Sequence, residues 1–212
     1  MKKFKVFSVF LILFLSIGFQ QIVVAKDTPK VLLFITDGSP DLEFMLTKEV
    51  GVMKKILEQS GFKVDIATVS GESISIGSVK LDTVLKLANV NTDDYSGFIL
   101  PCMAVNERDV PEMVAIVEKA VEAGKPVAAQ FGGVVYLARA GVLKGKKYSL
   151  GVEADLNMAP EFKGGIYSGT GIVQDGNIIT SGVCPFWSRE EGLKDGTPGL
   201  TKALIEAIKA KQ

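Results

Sequence analysis

The stretch that decides the fold of this chain is "PVAAQFGGVVYLARAG", residues 126–141. The apolar run PVAAQ predicts a short buried strand, GVVYLARAG predicts a short helix, and Phe131-Gly132-Gly133 forms a tight turn between them. Chains of alternating strands and helices often carry a catalytic nucleophile at such a turn. A phenylalanine side chain cannot attack a substrate, so the sequence predicts the architecture of a catalytic turn without its catalyst.

The remainder of the chain alternates in the same way. Buried strands are predicted for KVLLFIT (30–36), FKVDIATV (62–69) and GFILP (97–101). Helices are predicted around Leu46–Leu57, from Pro111 to Gly124, and near the C-terminus, while Asp175-Gly176 predicts a β-hairpin. This order favours a single-domain α/β sandwich, in which a parallel sheet has helices on both faces and a β-hairpin follows near the C-terminus.

Residues 1–25 have the layout of a secretory signal peptide. The basic start MKKFK precedes an apolar run of 14 residues, and Val23 and Ala25 precede a polar stretch. We therefore expect cleavage after Ala25, a domain over 26–212, and an exported protein that is periplasmic or secreted and keeps no stable membrane anchor. The alternative is an uncleaved N-terminal anchor, because extending the apolar run to Ala25 reaches the ~20 residues of a spanning helix.

Composition removes several kinds of chemistry. The chain of 212 residues has 24 basic and 24 acidic side chains and no histidine, which excludes a Ser-His-Asp triad, a Cys-His pair and histidine-based metal sites. No basic stretch predicts nucleic-acid binding, and no glycine motif predicts a nucleotide, so we expect no cofactor. Asp37, Asp41 and Glu43 do not have the spacing of a calcium loop, and we predict no metal site.

Three segments, one of which contains the stretch 126–141, resemble a known family. This family is the DJ-1/PfpI superfamily, which is related to class I glutamine amidotransferases. The similar segments are KPVAAQFGGVVYLARAGVLKGKKYS, DYSGFILPCM and VQDGNIITSG. The resemblance spans almost all of residues 30–210 and implies a flavodoxin-like sheet. Parallel sheets bind ligands at the carboxyl ends of their strands, so the alternation itself predicts that four stretches meet there: TDGSPDLEF, LPCMAVN, QFGGV and TSGVCPFW.

The resemblance places the family's catalytic cysteine at Phe131 and its adjoining histidine at Gly132, while a family glycine is kept as Gly133. Gly182 takes the place of a family arginine. In the family the nucleophile has a strained backbone, which costs about 1–3 kcal/mol. We call the strand-to-helix turn at Phe131 the elbow. We therefore expect either that the backbone of the elbow relaxes at Phe131, or that the phenylalanine ring fills the pocket that surrounds the cysteine in the family.

The same resemblance places the acid that pairs with the family thiol at Glu43, and the first glycine of a P-G-G turn at Cys102. From sequence alone, Glu43 could equally be a solvated acid at a helix N-terminus. The resemblance favours a buried or half-buried carboxylate that acts as a general base or grips a ligand.

Cys102 and Cys184 are the two cysteines of the chain, and both follow predicted strands at the same sheet edge. Three interpretations stay open: a disulfide, two unrelated buried side chains, or a relocated nucleophile at Cys102 with Glu43 as its base. The predicted ligand pocket comprises Glu43, Cys102, Phe131, Gly132, Gly133 and Cys184.

These observations lead to one functional hypothesis and one alternative. The first is an exported DJ-1/PfpI-fold protein that lacks the cysteine-dependent catalysis of the family and binds a small molecule or a protein partner. The alternative is a thiol-dependent hydrolase or glyoxalase-like enzyme that uses Cys102 and Glu43. Since the resemblance also implies assembly, we expect a homo-oligomer.

Overall fold

The computed structural model describes residues 28–36, 41–104 and 110–212. The predicted signal peptide and Asp37 lie outside these residues. The main sheet contains seven strands: β1 (Lys30–Phe34), β2 (Lys63–Thr68), β5 (Leu85–Lys86), β6 (Gly97–Leu100), β7 (Val127–Gln130), β10 (Ile172–Asp175) and β11 (Ile178–Ser181). Two small ribbons pair β3 (Ile74–Ile76) with β4 (Val79–Leu81), and β8 (Lys147–Tyr148) with β9 (Ile166–Tyr167).

The helices follow the strands closely along the chain. They are α1 (Leu42–Met45), which continues through a π-helical turn (Leu46–Val50) into α2 (Gly51–Gln59), then α3 (Pro111–Glu122), α4 (Val134–Arg139), α5 (Pro185–Glu191) and α6 (Thr197–Lys209). The sequence predicted α2, α3, α4 and α6. It did not predict α5 or the two ribbons, because each is too short to show a clear hydrophobic period.

The main sheet has the strand order β10-β11-β7-β6-β1-β2-β5. Neighbouring strands run parallel throughout, except that β10 and β11 form an antiparallel hairpin. Gly176 makes the turn of that hairpin with φ 66°, a conformation that glycine adopts without steric cost. The predicted α/β architecture and its C-terminal hairpin are confirmed.

Alternate side chains of the central strands enter two cores on opposite faces of the sheet. In β1, Leu32 and Phe34 belong to the core that α3 and α4 cover, whereas Val31 and Leu33 belong to the core that α2 and α6 cover. Burying each such side chain contributes about 1.5–3 kcal/mol. Because both faces are covered, β1 and β6 are buried along nearly their whole length, and their carboxyl ends open onto one edge.

Among the described residues, no helix is both long enough and apolar enough to cross a membrane.

Candidate functional site

The elbow between β7 and α4 keeps a strained backbone. Phe131 has φ 42°, whereas neither Gly132 nor Gly133 has a positive φ. The left-handed region costs a residue with a side chain roughly 1–2 kcal/mol. The expectation that the two glycines would let the elbow relax is therefore wrong, because the strain remains on the phenylalanine.

Close packing explains why the elbow cannot relax. A Cβ atom on Gly132 would lie 2.6 Å from the carbonyl oxygen of Cys102, and one on Gly133 would meet the carbonyl oxygen of Leu100 more closely still. The elbow is thus pressed against the backbone that follows β6. Two glycines are required here for this close approach, and the turn that contains Cys102 fixes where the elbow can lie.

The Phe131 ring lies against neighbouring side chains rather than projecting alone. Its centroid is 5.2 Å from that of Trp187, with an angle of 35° between the planes, and its edge contacts Gly151, where a side chain would collide with the ring. Tilted aromatic pairs at this distance contribute about 0.5–1.5 kcal/mol beyond their area. Phe131 therefore occupies the space beside the elbow, as the second alternative expects.

The buried acid next to this elbow is Glu49, in the π-helical turn between α1 and α2. Its side chain is fully buried, and one carboxylate oxygen accepts a hydrogen bond of 2.8 Å from the backbone N–H of Cys102. The N–H of Met103 binds the carboxylate as well, while the second oxygen has no partner. π-Helical turns recur at functional sites, and this one turns an acid into the core.

Burial raises the pKa of the Glu49 carboxyl well above its usual value, and the two backbone N–H groups offset only part of that effect. The neutral acid is therefore favoured over a wider pH range than for an exposed glutamate. A neutral carboxylic acid can donate a hydrogen bond through its unpartnered oxygen.

Glu43, which the resemblance had placed at the site, lies elsewhere. It is exposed, and its carboxylate accepts hydrogen bonds from the N–H (3.0 Å) and the hydroxyl (3.2 Å) of Ser78 in the β3–β4 ribbon. The prediction of a buried or half-buried carboxylate at Glu43 is wrong, because the first turn of α1 directs this side chain outward to the β3–β4 ribbon. Glu49 shares a helical face with Leu46, Val50 and Met53, and an acid on an apolar stripe was the signal that could have identified it.

Cys102 and Cys184 come together beside Glu49. Cys102 begins the 3-10 turn after β6, and that turn is fixed by Thr36, whose hydroxyl donates to the carbonyl of Met103 at 2.6 Å. Cys184 is the N-cap of α5, and its sulfur accepts a hydrogen bond from the N–H of Trp187 at 3.5 Å. Both are free thiols, and the two side chains are hydrogen-bonded to each other.

The thiol pair is electrostatically asymmetric. The hydrogen bond from Cys102, together with the backbone N–H groups of Trp187 and Phe186, lowers the pKa of Cys184 to about 7. The same hydrogen bond, with burial and the nearby Glu49, raises the pKa of Cys102 well above its usual value. Cys184 is thus the thiolate of the pair, and Cys102 is the hydrogen-bond donor.

A cleft of about 470 Å³ lies where β10 and β11 meet the N-terminus of α6. Its lining is mainly apolar, but it includes two exposed lysines and the hydroxyl of Ser181, which is buried and has no partner. The lining residues are Thr170, Gly171, Ile172, Ser181, Val183, Leu193, Lys194, Asp195, Gly196, Pro198, Gly199 and Lys202. None of the predicted pocket residues lines this cleft, although Val183 precedes Cys184 directly.

Across 28–36, 41–104 and 110–212, no group of three or more acidic or cysteine side chains is arranged to hold a metal ion. Of the predicted site residues, the structure brings together Cys102, Cys184, Phe131, Gly132 and Gly133, and it adds Glu49 and Trp187 to them.

Comparison with known proteins identifies the family and supports the fold. The family model described as the DJ-1/PfpI family matches residues 29–185. Deglycase TK1284 of Thermococcus kodakarensis is 30% identical over 76% of this chain and 96% of its own length. Deglycase PfpI of Pyrococcus furiosus is 34% identical over 63% of this chain and 83% of its own length. The crystal structure of a ThiJ/PfpI domain protein from Brachyspira murdochii has a TM-score of 0.64 at 19% identity, covering 85% of this chain and 96% of that one, which shows the shared fold.

Proposed function

This chain belongs to the DJ-1/PfpI family, and from that premise we propose that it is a binding protein that has lost the reaction of the elbow thiol. One observation carries the proposal. Phe131 has the strained φ of 42° at the elbow, and its ring packs on Trp187 and Gly151. The side chain at this position is therefore a hydrocarbon ring and cannot act as a nucleophile. Two relatives are named deglycases, so loss of enzymatic activity in this chain has to be tested directly.

The alternative, a hydrolase or glyoxalase-like enzyme with Cys102 as nucleophile, has weaker support. The Cys102 thiol gives its hydrogen to the sulfur of Cys184, and its pKa is raised, so it is a poor nucleophile near neutral pH. The Glu43 carboxylate is hydrogen-bonded to Ser78, and the Glu49 carboxylate accepts from the backbone N–H of Cys102 rather than from its thiol, so neither carboxyl supports the role of base for Cys102.

The cleft at α6 is the proposed binding site. Lys194 and Lys202 provide positive charge at its rim, and this charge exceeds that of the one carboxylate in the lining, Asp195, which already accepts hydrogen bonds from the N–H and hydroxyl of Thr197. Ile172, Leu193 and Val183 provide apolar surface. The N-terminus of α6 adds a positive dipole, and the buried Ser181 hydroxyl has an unused hydrogen-bonding capacity in the same wall. These features suit a small ligand that combines an anionic group with an apolar body.

We also propose that the protein is exported and forms a homo-oligomer, as the first 25 residues and the resemblance predict. Intact mass of protein recovered outside the cytoplasm should show a chain that begins after Ala25, and light scattering should show more than one copy. Recovery of the uncleaved chain in membranes would favour the alternative of an N-terminal anchor.

Turnover assays test the loss of elbow chemistry. We expect no consumption of methylglyoxal and no peptide cleavage above the rate of the double variant Cys102→Ser, Cys184→Ser. The matched gain-of-function variant Phe131→Cys should create a thiol that iodoacetamide modifies rapidly. Turnover by the wild-type protein that disappears in Cys102→Ser would overturn the proposal in favour of the enzyme.

Binding to the cleft can be probed with 8-anilinonaphthalene-1-sulfonate, an anionic apolar dye. Replacing both Lys194 and Lys202 with alanine should weaken dye binding about fivefold, since each exposed charge contributes ~0.5 kcal/mol. Lys209→Ala, on an exposed position at the other end of α6, is the control and should leave dye affinity unchanged. Equal affinity for all three proteins would place the dye elsewhere and remove the support for this cleft.

A further inference from the structure

The cysteines are brought together by the fold rather than by the chain. Cys102 and Cys184 are the only two cysteines in the sequence, and they follow β6 and β11, two strands that flank β7. Their side chains nevertheless pack in the same core cluster, and each sulfur shifts the pKa of the other. Two sulfurs in such contact need little backbone movement to become bonded.

The two sulfurs differ in access. Cys184 is fully buried, whereas Cys102 is only partly buried. Cys102 is therefore the residue of the pair that reaches the surface, and a small reagent would approach the pair from its side. In this arrangement Cys102 would react with the external reagent, and the buried Cys184 would then react with Cys102.

The two sulfurs also differ in charge. The sulfur of Cys184 lies at the N-terminus of α5 and accepts backbone N–H groups, which favour its thiolate. The hydrogen bond between the thiols lets the proton of Cys102 pass to Cys184 when Cys102 attacks. This transfer forms only a small fraction of Cys102 thiolate, which suits slow exchange with a disulfide rather than the rapid turnover of an enzyme.

We propose that Cys102 and Cys184 form a redox-active dithiol that exchanges with low-molecular-mass disulfides. In the first step, the Cys102 thiolate attacks one sulfur of an external disulfide, the disulfide bond breaks, and one thiolate leaves and takes up a proton. In the second step, Cys184 loses its proton to solvent and attacks the Cys102 sulfur, which releases the second thiol. The external disulfide gains two electrons and two protons, and the protein forms the Cys102–Cys184 disulfide.

The substrate class follows from the surroundings of Cys102. Its neighbours include the buried Glu49 carboxyl and the backbone of Gly132, which lies close enough that a Cβ there would be 3.7 Å from the Cys102 sulfur. A sulfur enclosed in this way is accessible to a small disulfide and poorly accessible to one on a folded protein surface. This redox couple uses neither the elbow side chain nor the α6 cleft. A test of the redox couple is therefore independent of a test of the proposed binding function.

Trp187 gives the site an intrinsic reporter. It is the only tryptophan of the chain, its backbone N–H donates to the Cys184 sulfur, and its ring packs on Phe131. Formation of the disulfide removes the thiolate that accepts this N–H. We therefore expect tryptophan fluorescence to change in step with oxidation.

The test is a redox titration of the full chain in buffers of reduced and oxidised glutathione, with acid quenching, alkylation and intact mass. We expect both thiols to be lost together in one transition, with a mass lower by two hydrogens and full reversal by dithiothreitol. Cys184→Ser should stop at a mixed disulfide with one glutathione, and Cys102→Ser should react far more slowly than the wild type.

Two results would overturn the proposal. The first is that both thiols of the native wild-type protein remain open to alkylation after equilibration with oxidised glutathione. The second is that the wild type accumulates the same mixed disulfide as Cys184→Ser. The wild-type titration alone decides the matter if a serine variant fails to fold, which circular dichroism would show.

Discussion

The elbow and the thiol pair lie at the same sheet edge and differ in both backbone conformation and side-chain chemistry. At the elbow, Phe131 has a strained φ of 42° although its side chain has no polar group. At the pair, Cys102 and Cys184 have thiol groups that can ionise, and neither residue has a positive φ. The comparison teaches that close packing maintains the elbow conformation, and that the reactive groups at this edge do not depend on that conformation.

The largest effect is expected from the contact that fixes the elbow. Gly133→Ala would press a methyl group against the backbone oxygens of Leu100 and Pro101, which cannot move without disturbing the end of β6. We expect a loss of about 3 kcal/mol in the free energy of unfolding, measured with urea. Gly171→Ala is the control, because a Cβ there meets nothing within 4 Å. Equal stability of the two variants would show that packing does not hold the elbow.

A somewhat smaller effect is expected at the buried acid of the thiol region. Glu49→Ala leaves the N–H groups of Cys102 and Met103 without an acceptor and should destabilise the fold by about 1–3 kcal/mol. Glu49→Gln keeps an acceptor and should be affected less. Glu43→Gln, at the exposed acid, should stay within about 0.5 kcal/mol.

The same acid should make stability depend on pH. The pKa of Glu49 is raised in the folded state, so the folded protein binds the proton more tightly, and stability falls as pH rises above the unfolded pKa. Urea unfolding at about pH 5 and about pH 8 should therefore show Glu49→Gln gaining stability relative to the wild type at the higher pH. A difference that is constant with pH would show that the carboxyl ionises normally.

The sequence predicted the fold well because its signals are local. Continuous apolar runs at 30–36 and 97–101 identify strands buried on both faces, and Asp175-Gly176 identifies the hairpin. The chemistry at the sheet edge depends on contacts between distant segments, and these were predicted less well. Glu49 was missed because the resemblance pointed to Glu43, although Glu49 lies on the apolar helical face of Leu46, Val50 and Met53.

The cysteine pair shows the same limit. The sequence placed Cys102 and Cys184 at one edge of the sheet, but it could not show whether their side chains meet, because that depends on α5 beginning at Pro185 with Cys184 as its cap. Likewise, the elbow could be located at Phe131 from its glycines. Whether it relaxes depends on the backbone of Leu100 and Pro101 beneath it.

A pair of substitutions at Phe131 isolates the strain itself. Phe131→Gly and Phe131→Ala both remove the contact with Trp187, but only glycine adopts a positive φ freely. We expect the glycine variant to be more stable than the alanine variant by about 1 kcal/mol, the reverse of the usual order for these residues. If alanine is the more stable, the elbow has relaxed once the ring is gone, and the ring rather than the backbone beneath it maintains the strain.

The smallest expected effect concerns the proton shared by the thiols. Cys102→Ala removes the hydrogen-bond donor to Cys184, so the pKa of Cys184 should rise from about 7 towards its ordinary value, whereas Cys102→Ser keeps a donor and should raise it less. Ultraviolet absorbance of the thiolate against pH measures both. Because the folded pKa lies below the unfolded one, the wild type should gain stability as pH rises through this range, and Cys102→Ala should gain less. Identical titrations of the two variants would show that the backbone N–H groups at the start of α5 lower the pKa without help from Cys102, and the acidity of Cys184 would then belong to the helix end rather than to the pair.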